Sequence, residues 1–206
     1  MSKVFLLGLT GSIGMGKSTT AEMFRDAEIA VWDADAAVHE LYTTDTETIE
    51  KIHDIAPIAV TADGVDRQAL SRCLQADKEL FPKLETIVHE AIRTHRAAFI
   101  EACQTTGQKM AVLDIPLLFE TGAQDWLDAV LVVSVDADVQ KARVMERPGM
   151  TEDVFAMILS RQTPDGEKRA RADYVIETHD LDGARASVQN VIESILKSKD
   201  GAQPDA

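Results

Sequence analysis

The chain has 206 residues, 45% of them hydrophobic and 5% aromatic, with a net charge of −14. That length fits one core domain carrying an insertion, and that charge excludes a nucleic-acid binder, which needs a basic face. No apolar run is long enough to span a bilayer, no signal-peptide pattern leads the chain, and Cys73 and Cys103 lack metal-ligand spacing, so they read as free thiols of a reducing cytosol.

The first predicted element is an apolar strand over residues 4–10. It runs into Gly11-Ser12-Ile13-Gly14-Met15-Gly16-Lys17-Ser18, which fits G-x-x-x-x-G-K-[ST], the P-loop. The glycines let backbone N–H groups wrap a polyphosphate. Lys17 can reach the β- and γ-phosphates, and the Ser18 hydroxyl can take a place on Mg²⁺. Helical spacing follows over 18–27, so the loop has the strand-then-helix context it requires.

A second strand, 30–33, ends in Asp33-Ala34-Asp35. Ligands of open parallel sheets sit beyond the carboxyl ends of the strands, where the P-loop also lies. A carboxylate there can accept the proton of an attacking hydroxyl, help hold Mg²⁺, or simply cap the next helix. Residues 36–43, 46–55, 66–75 and 80–104 have helical patterns and only the short run 58–61 could be a strand, so 36–108 is predicted to be an all-helical insertion with a turn at Asp63-Gly64 and room for substrate recognition. His89 lies in it, and a lone helical histidine reads first as structural.

The third strand, 109–114, ends in Asp114-Ile115-Pro116-Leu117-Leu118-Phe119-Glu120. Asp114 resembles a Walker B carboxylate, able to bind Mg²⁺ directly or through water. Leu117 to Phe119 are expected to pack as a wall. Strands over 129–136 and 174–177 and helices over 137–146, 151–162 and 181–197 complete the alternation, and 198–206 is a polar tail expected to fray. Residues 141–171 carry seven Lys or Arg against five Asp or Glu, a local net of +2 that leaves −16 elsewhere. Within that basic segment Arg143 and Arg147 are spaced i, i+4 and share a helix face. Pro148-Gly149 stops the helix and Thr151 caps the next, the form of a lid that can bring an arginine onto a transferring phosphoryl group.

The prediction is an α/β, P-loop NTPase-type three-layer fold with a mainly parallel five-stranded sheet. Its core takes residues 1–35 and 109–206, the helical insertion 36–108, and the lid 140–172. Three stretches at these separations, Leu9 to Thr19, Asp33 to Asp35 and Asp114 to Glu120, closely resemble the dephospho-CoA kinase family, and Ala172 to Ile176 is similar to that family's last strand. The resemblance implies transfer of the ATP γ-phosphoryl group to the ribose 3′-hydroxyl of dephospho-CoA, with Mg²⁺, in the cytoplasm, by a monomer or small homo-oligomer. It implies Asp35 as the base, Lys17 and Arg143 on the phosphoryl group, and residues 11–19 with Arg147 on the nucleotide. It places Thr10, Asp35, His89, Asp114, Leu117, Leu118 and Phe119 at the substrate, and Ser18 with Asp33 at the metal. Glu90, Pro148 and Thr178 depart from the family pattern of Pro, a polar residue and Asn. A kinase for another small acceptor and a nucleotide-dependent binding switch are the alternatives.

Overall fold

The computed structural model describes residues 3–200. Strand β1 (Phe5–Thr10) leads through the glycine loop into α1 (Lys17–Asp26), and β2 (Ala30–Asp33) follows. Next come α2 (Ala34–Thr43), α3 (Thr46–Ile55), β3 (Val60–Thr61), β4 (Gly64–Val65), α4 (Arg67–Ala76) and α5 (Leu80–Thr105). The chain then forms β5 (Met110–Asp114), β6 (Ala129–Ser134), α6 (Ala137–Met145), α7 (Glu152–Leu159), α8 (Asp165–Arg171), β7 (Tyr174–Glu177) and α9 (Leu181–Asp200).

The chain makes two compact units, one from the segments up to Trp32 and from Cys103 onward, the other from Asp33–Ala102. The first is built on a five-stranded sheet of order β2-β5-β1-β6-β7, in which β1 pairs in parallel with β5 and β6, and β6 with β7. The strand sequences explain the layering. In β6, Leu131 and Val133 join the apolar cluster with Phe24 of α1 and Val188 and Ile195 of α9. The alternate residues Val130 and Val132 join Leu118, Phe119 and Ala123. A period of two therefore buries both faces, so the strand is apolar from Ala129 to Val133. Each such side chain contributes roughly 1.5–3 kcal/mol by burial.

The second unit packs α2, α3, α4 and α5 around Leu41, Ile52, Ala59, Leu70 and Leu84. Helices α2, α3 and α4 begin on aspartates, among the residues that capping favours: Asp33 accepts from Ala36 N at 2.9 Å, Asp45 from Thr48 N at 3.0 Å, and Asp66 from Gln68 N at 2.8 Å. Contrary to the all-helical expectation, it contains an antiparallel hairpin, Val60 opposite Val65 and Thr61 opposite Gly64. Gly64 has φ +100°, and a Cβ there would strike the Tyr42 carbonyl, so the turn needs glycine.

Two differences lie in the segment read as a lid. Helix α7 stops at Leu159 rather than 162, because Pro164 keeps Thr163 out of helical geometry and the Gln162 side chain is used elsewhere. Helix α8 escaped the sequence reading. Its signal was present, with Asp165 and Glu167 in the first turn and Lys168, Arg169 and Arg171 in the last, the polarity that suits a helix dipole. Of the expected tail, Ser198–Asp200 continue α9, while residues 201–206 lie outside those described. Among the described residues no helix is long and apolar enough to cross a membrane, and both cysteines are free.

Candidate active site

The glycine loop springs from the middle of the sheet, between β5 and β6, because β1 is the central strand. Gly14 and Gly16 adopt φ of +80° and +86°. No other residue fits there easily: a Cβ on Gly14 would lie 2.5 Å from Val144 Cγ2, and one on Gly16 would lie 3.0 Å from Thr178 Oγ1. Gly16 is also the N-cap of α1, so the positive end of that helix faces the loop. Met15 packs inward, its sulfur accepting from Val135 N at 3.1 Å, which leaves the backbone, Ser18 and Thr19 to the outside.

Strand register sets Leu9 opposite Asp114. From the start of α1, Lys17 Nζ reaches Asp114 Oδ1 at 2.5 Å. Asp114 is only 1% exposed, so this is a buried carboxylate with an ammonium partner. The pair ties the lysine at the start of α1 to the end of β5. Asp114 thus touches Lys17 first, a contact that spacing alone did not reveal.

The other flank of the loop opens into a cleft of about 320 Å³. Gly14, Gly16 and Thr19 form its loop side, Arg143, Arg147 and Thr178 its far side, and Met23, Leu181 and Ala184 give it apolar surface. The two arginines of the i, i+4 pair therefore open on one space. Arg143 does not project freely from a lid. Its guanidinium donates to Thr178 O at 2.6 Å and to Thr178 Oγ1 at 3.2 Å. The same hydroxyl donates to Met15 O at 2.9 Å. Thr178 is thus a brace between loop and arginine. Thr178→Val is expected to weaken nucleotide binding several-fold, one neutral hydrogen bond being worth about 0.5–1.5 kcal/mol. Thr178→Ser should keep the wild-type value, and nucleotide titration of both variants checks it.

Several of the residues predicted at the substrate are buried. Thr10 has no exposed surface, and its hydroxyl donates to Pro116 O at 3.1 Å, which ties the end of β1 to the segment after β5. Leu118 has no exposed surface and Phe119 only 7%, both in the core beneath β6. Arg171 covers the Phe119 ring at 4.4 Å. Leu117, at 43% exposure, keeps a free face. Asp33 spends one oxygen capping α2, whereas Asp35 stands exposed in that helix's first turn. His89, on α5, has a side chain 72% exposed, near Glu85 at 4.0 Å.

The sequence reading gave Glu120 no role, yet it is engaged on two sides. It accepts from Thr163 N at 2.6 Å and lies 3.3 Å from the wholly buried Lys168 ammonium. Burial pushes the Glu120 carboxyl up, but the Thr163 N–H, its own backbone N–H and Lys168 outweigh that and hold it below the usual carboxylate range.

A glycine loop at the head of a central parallel strand, its lysine on a strand-end aspartate and an arginine-lined cleft beside it, defines a P-loop nucleotide-binding protein of the small kinase type. A family model described as dephospho-CoA kinase matches residues 5–182. A dephospho-CoA kinase of Cereibacter sphaeroides is 47% identical over 95% of this chain and 98% of its own. Among solved structures, a Thermus thermophilus protein superposes with a TM-score of 0.79 at 30% identity, covering 94% of this chain and 98% of its own. The dephospho-CoA kinase from Campylobacter jejuni superposes at 0.70 and 26%, with the same coverage. This chain belongs to the dephospho-CoA kinase family, and it is a kinase.

Proposed function

We propose that this kinase transfers the γ-phosphoryl group of ATP to the ribose 3′-hydroxyl of dephospho-CoA, giving coenzyme A and ADP. The observation that carries this reading is the match of residues 5–182 to the family together with the Lys17–Asp114 pair at the head of the loop. In this reading the loop amides and Lys17 take the β- and γ-phosphates, Lys17 exchanging Asp114 for phosphate oxygen. The cleft beside Arg147 takes the adenosine end, its apolar side formed by Met23 and Leu181. Asp35, two residues beyond the end of β2, orients the acceptor hydroxyl and takes its proton as the new P–O bond forms and the bond to ADP breaks. His89 and the exposed face of Leu117 belong to the acceptor side.

The donor set fits Mg²⁺. Ser18 and the Asp114 and Asp33 carboxylates are hard oxygen ligands, and among the described residues no group of three His, Cys, Asp or Glu forms a cage of its own. Mg²⁺ suits such a sparse site because it keeps waters and is carried largely by substrate phosphates, whose charge it neutralises. A cytoplasmic setting agrees with the two free thiols.

Arg143 neutralises charge on the moving group. Arg143→Ala is expected to cut kcat far more than it weakens ATP binding, and equal losses in steady-state kinetics and nucleotide titration would contradict that role. The reading as a whole is tested by ADP release from Mg-ATP with dephospho-CoA, adenosine, AMP or shikimate as acceptor, and by product mass. Stimulation by dephospho-CoA alone, with one phosphate gained, is expected. Stimulation by another acceptor would keep the phosphotransfer and discard this substrate. Nucleotide binding or slow hydrolysis indifferent to every acceptor would point to a switch.

A further inference from the structure

The Ile13 peptides of the glycine loop are held from outside the loop on both sides. Gln162 Oε1 accepts from Ile13 N at 3.2 Å, and Gln140 Nε2 donates to Ile13 O at 2.7 Å. In a trans peptide the C=O and the following N–H point in opposite directions. Holding Ile13 O on Gln140 therefore aims the Gly14 N–H the other way. Holding Ile13 N on Gln162 aims Ser12 O, which accepts from Met15 N at 3.2 Å. Two successive peptides of an anion cradle are thereby oriented by glutamines, and a cradle works only when its N–H groups converge.

Gln140 lies on α6 and is 6% exposed, so its place is set by the core. Gln162 lies in the turn between α7 and α8, and what fixes that turn is Glu120. One oxygen, Glu120 Oε1, accepts from Thr163 N and also faces Lys168 Nζ. The loop is closed by Lys168 N donating to Pro164 O at 3.0 Å, and α8 is pinned further by Ser134 Oγ on Asp165 Oδ2 at 2.7 Å. The segment after β5 thus reaches the glycine loop twice: at its start through Asp114 on Lys17, and at its end through Glu120, Thr163 and Gln162 on Ile13. Stability alone does not require an ion pair here, since a well-packed apolar pair serves a buried site as well or better. Only an acceptor at position 120 can hold the Thr163 N–H.

We propose that Gln162 is a positioning residue for the phosphate loop, and that Glu120, neutralised by Lys168, holds Gln162 in place. The proposal rests on the kinase reading only for its activity assay, because nucleotide binding reads the loop directly. Binding of a fluorescent ADP analogue and kcat/KM for ATP are measured on four variants: Gln162→Met, which keeps size but leaves only a weak thioether acceptor; Glu120→Gln with Lys168→Met, which keeps an acceptor for Thr163 N without charge; Glu120→Met with Lys168→Met, which leaves only a thioether there; and that last pair combined with Gln162→Met. Gln162→Met should weaken ADP binding and lower kcat/KM for ATP about fivefold, as the loss of one aimed hydrogen bond predicts, while KM for the acceptor stays unchanged. The Glu120→Gln pair should bind ADP like wild type. The Glu120→Met pair should match Gln162→Met, and adding Gln162→Met to it should change little, since both act through one contact. A Gln162→Met protein within twofold of wild type, or equal behaviour of the two Glu120 pairs, would overturn the proposal. If ADP binding responds as predicted while wild type phosphorylates no acceptor, the positioning stands and the proposed reaction fails.

Discussion

Lys17→Ala is expected to stop turnover and to lower the thermal midpoint at the same time. The rate effect follows from losing the cation that meets the β- and γ-phosphates, about 10³-fold or more by analogy with other charged groups on a transferring phosphoryl. The stability effect follows from the ion pair. Asp114 is 1% exposed and its oxygen lies 2.5 Å from Lys17 Nζ, so removing the ammonium leaves a buried carboxylate without that partner. Breaking a buried pair from one side costs about 3–5 kcal/mol, and the low end applies because the Lys17 side chain keeps 18% exposure. For a chain of this size that is a fall of roughly 6–12 °C. Motif reasoning alone predicts an intact, equally stable fold. Lys17→Ala combined with Asp114→Asn should recover most of the midpoint and none of the turnover. An unchanged midpoint in Lys17→Ala would mean that the pair contributes nothing to the folded state.

Asp35→Asn is expected to do the opposite: to lower kcat by about 10²–10⁴, the range of a positioned general base, and to leave folding and nucleotide binding nearly alone. The structural reason lies one turn of chain away. Asp33, not Asp35, supplies the N-cap of α2 by accepting from Ala36 N. Asp35 is exposed in the first turn, where its charge is worth about 0.3–1 kcal/mol against the helix dipole. Asparagine there keeps the shape and discards the base. Retention of most of the wild-type kcat would remove Asp35 from the reaction and leave the proton to another group. Measured together, the two variants separate a residue that holds the site together from one that acts in it.

Much of the fold was legible because its signals are local. An apolar run, a glycine loop and a helix in that order fix the first βα unit, and the apolar run 129–133 reads as a strand buried on both faces. The asymmetry of the misses is physical too. The Val60–Val65 hairpin is two residues per strand, too short for a period to register. Helix α7 ends at Leu159, and Gln162 beyond it is held by a loop 149 positions distant in the chain. At the site, the motif places Leu118 and Thr10 beside the substrate, and the structure adds that both are buried. A motif fixes which residues stand near the chemistry, but not which of them support it from beneath.

By itself, the sequence determined the class of protein, the phosphate loop with its lysine, the acidic ends of two strands and the basic segment that follows β6. These are legible because backbone conformation at Gly14 and Gly16, strand burial and charge clustering are properties of neighbouring residues. Only the tertiary structure decided who holds whom. Lys17 rests on Asp114, Arg143 on Thr178, and Ile13 on Gln140 and Gln162, with Glu120 behind them. Such contacts join residues 35 to 149 positions apart, and their energies depend on burial and on distances of a few ångströms that no spacing in the chain encodes.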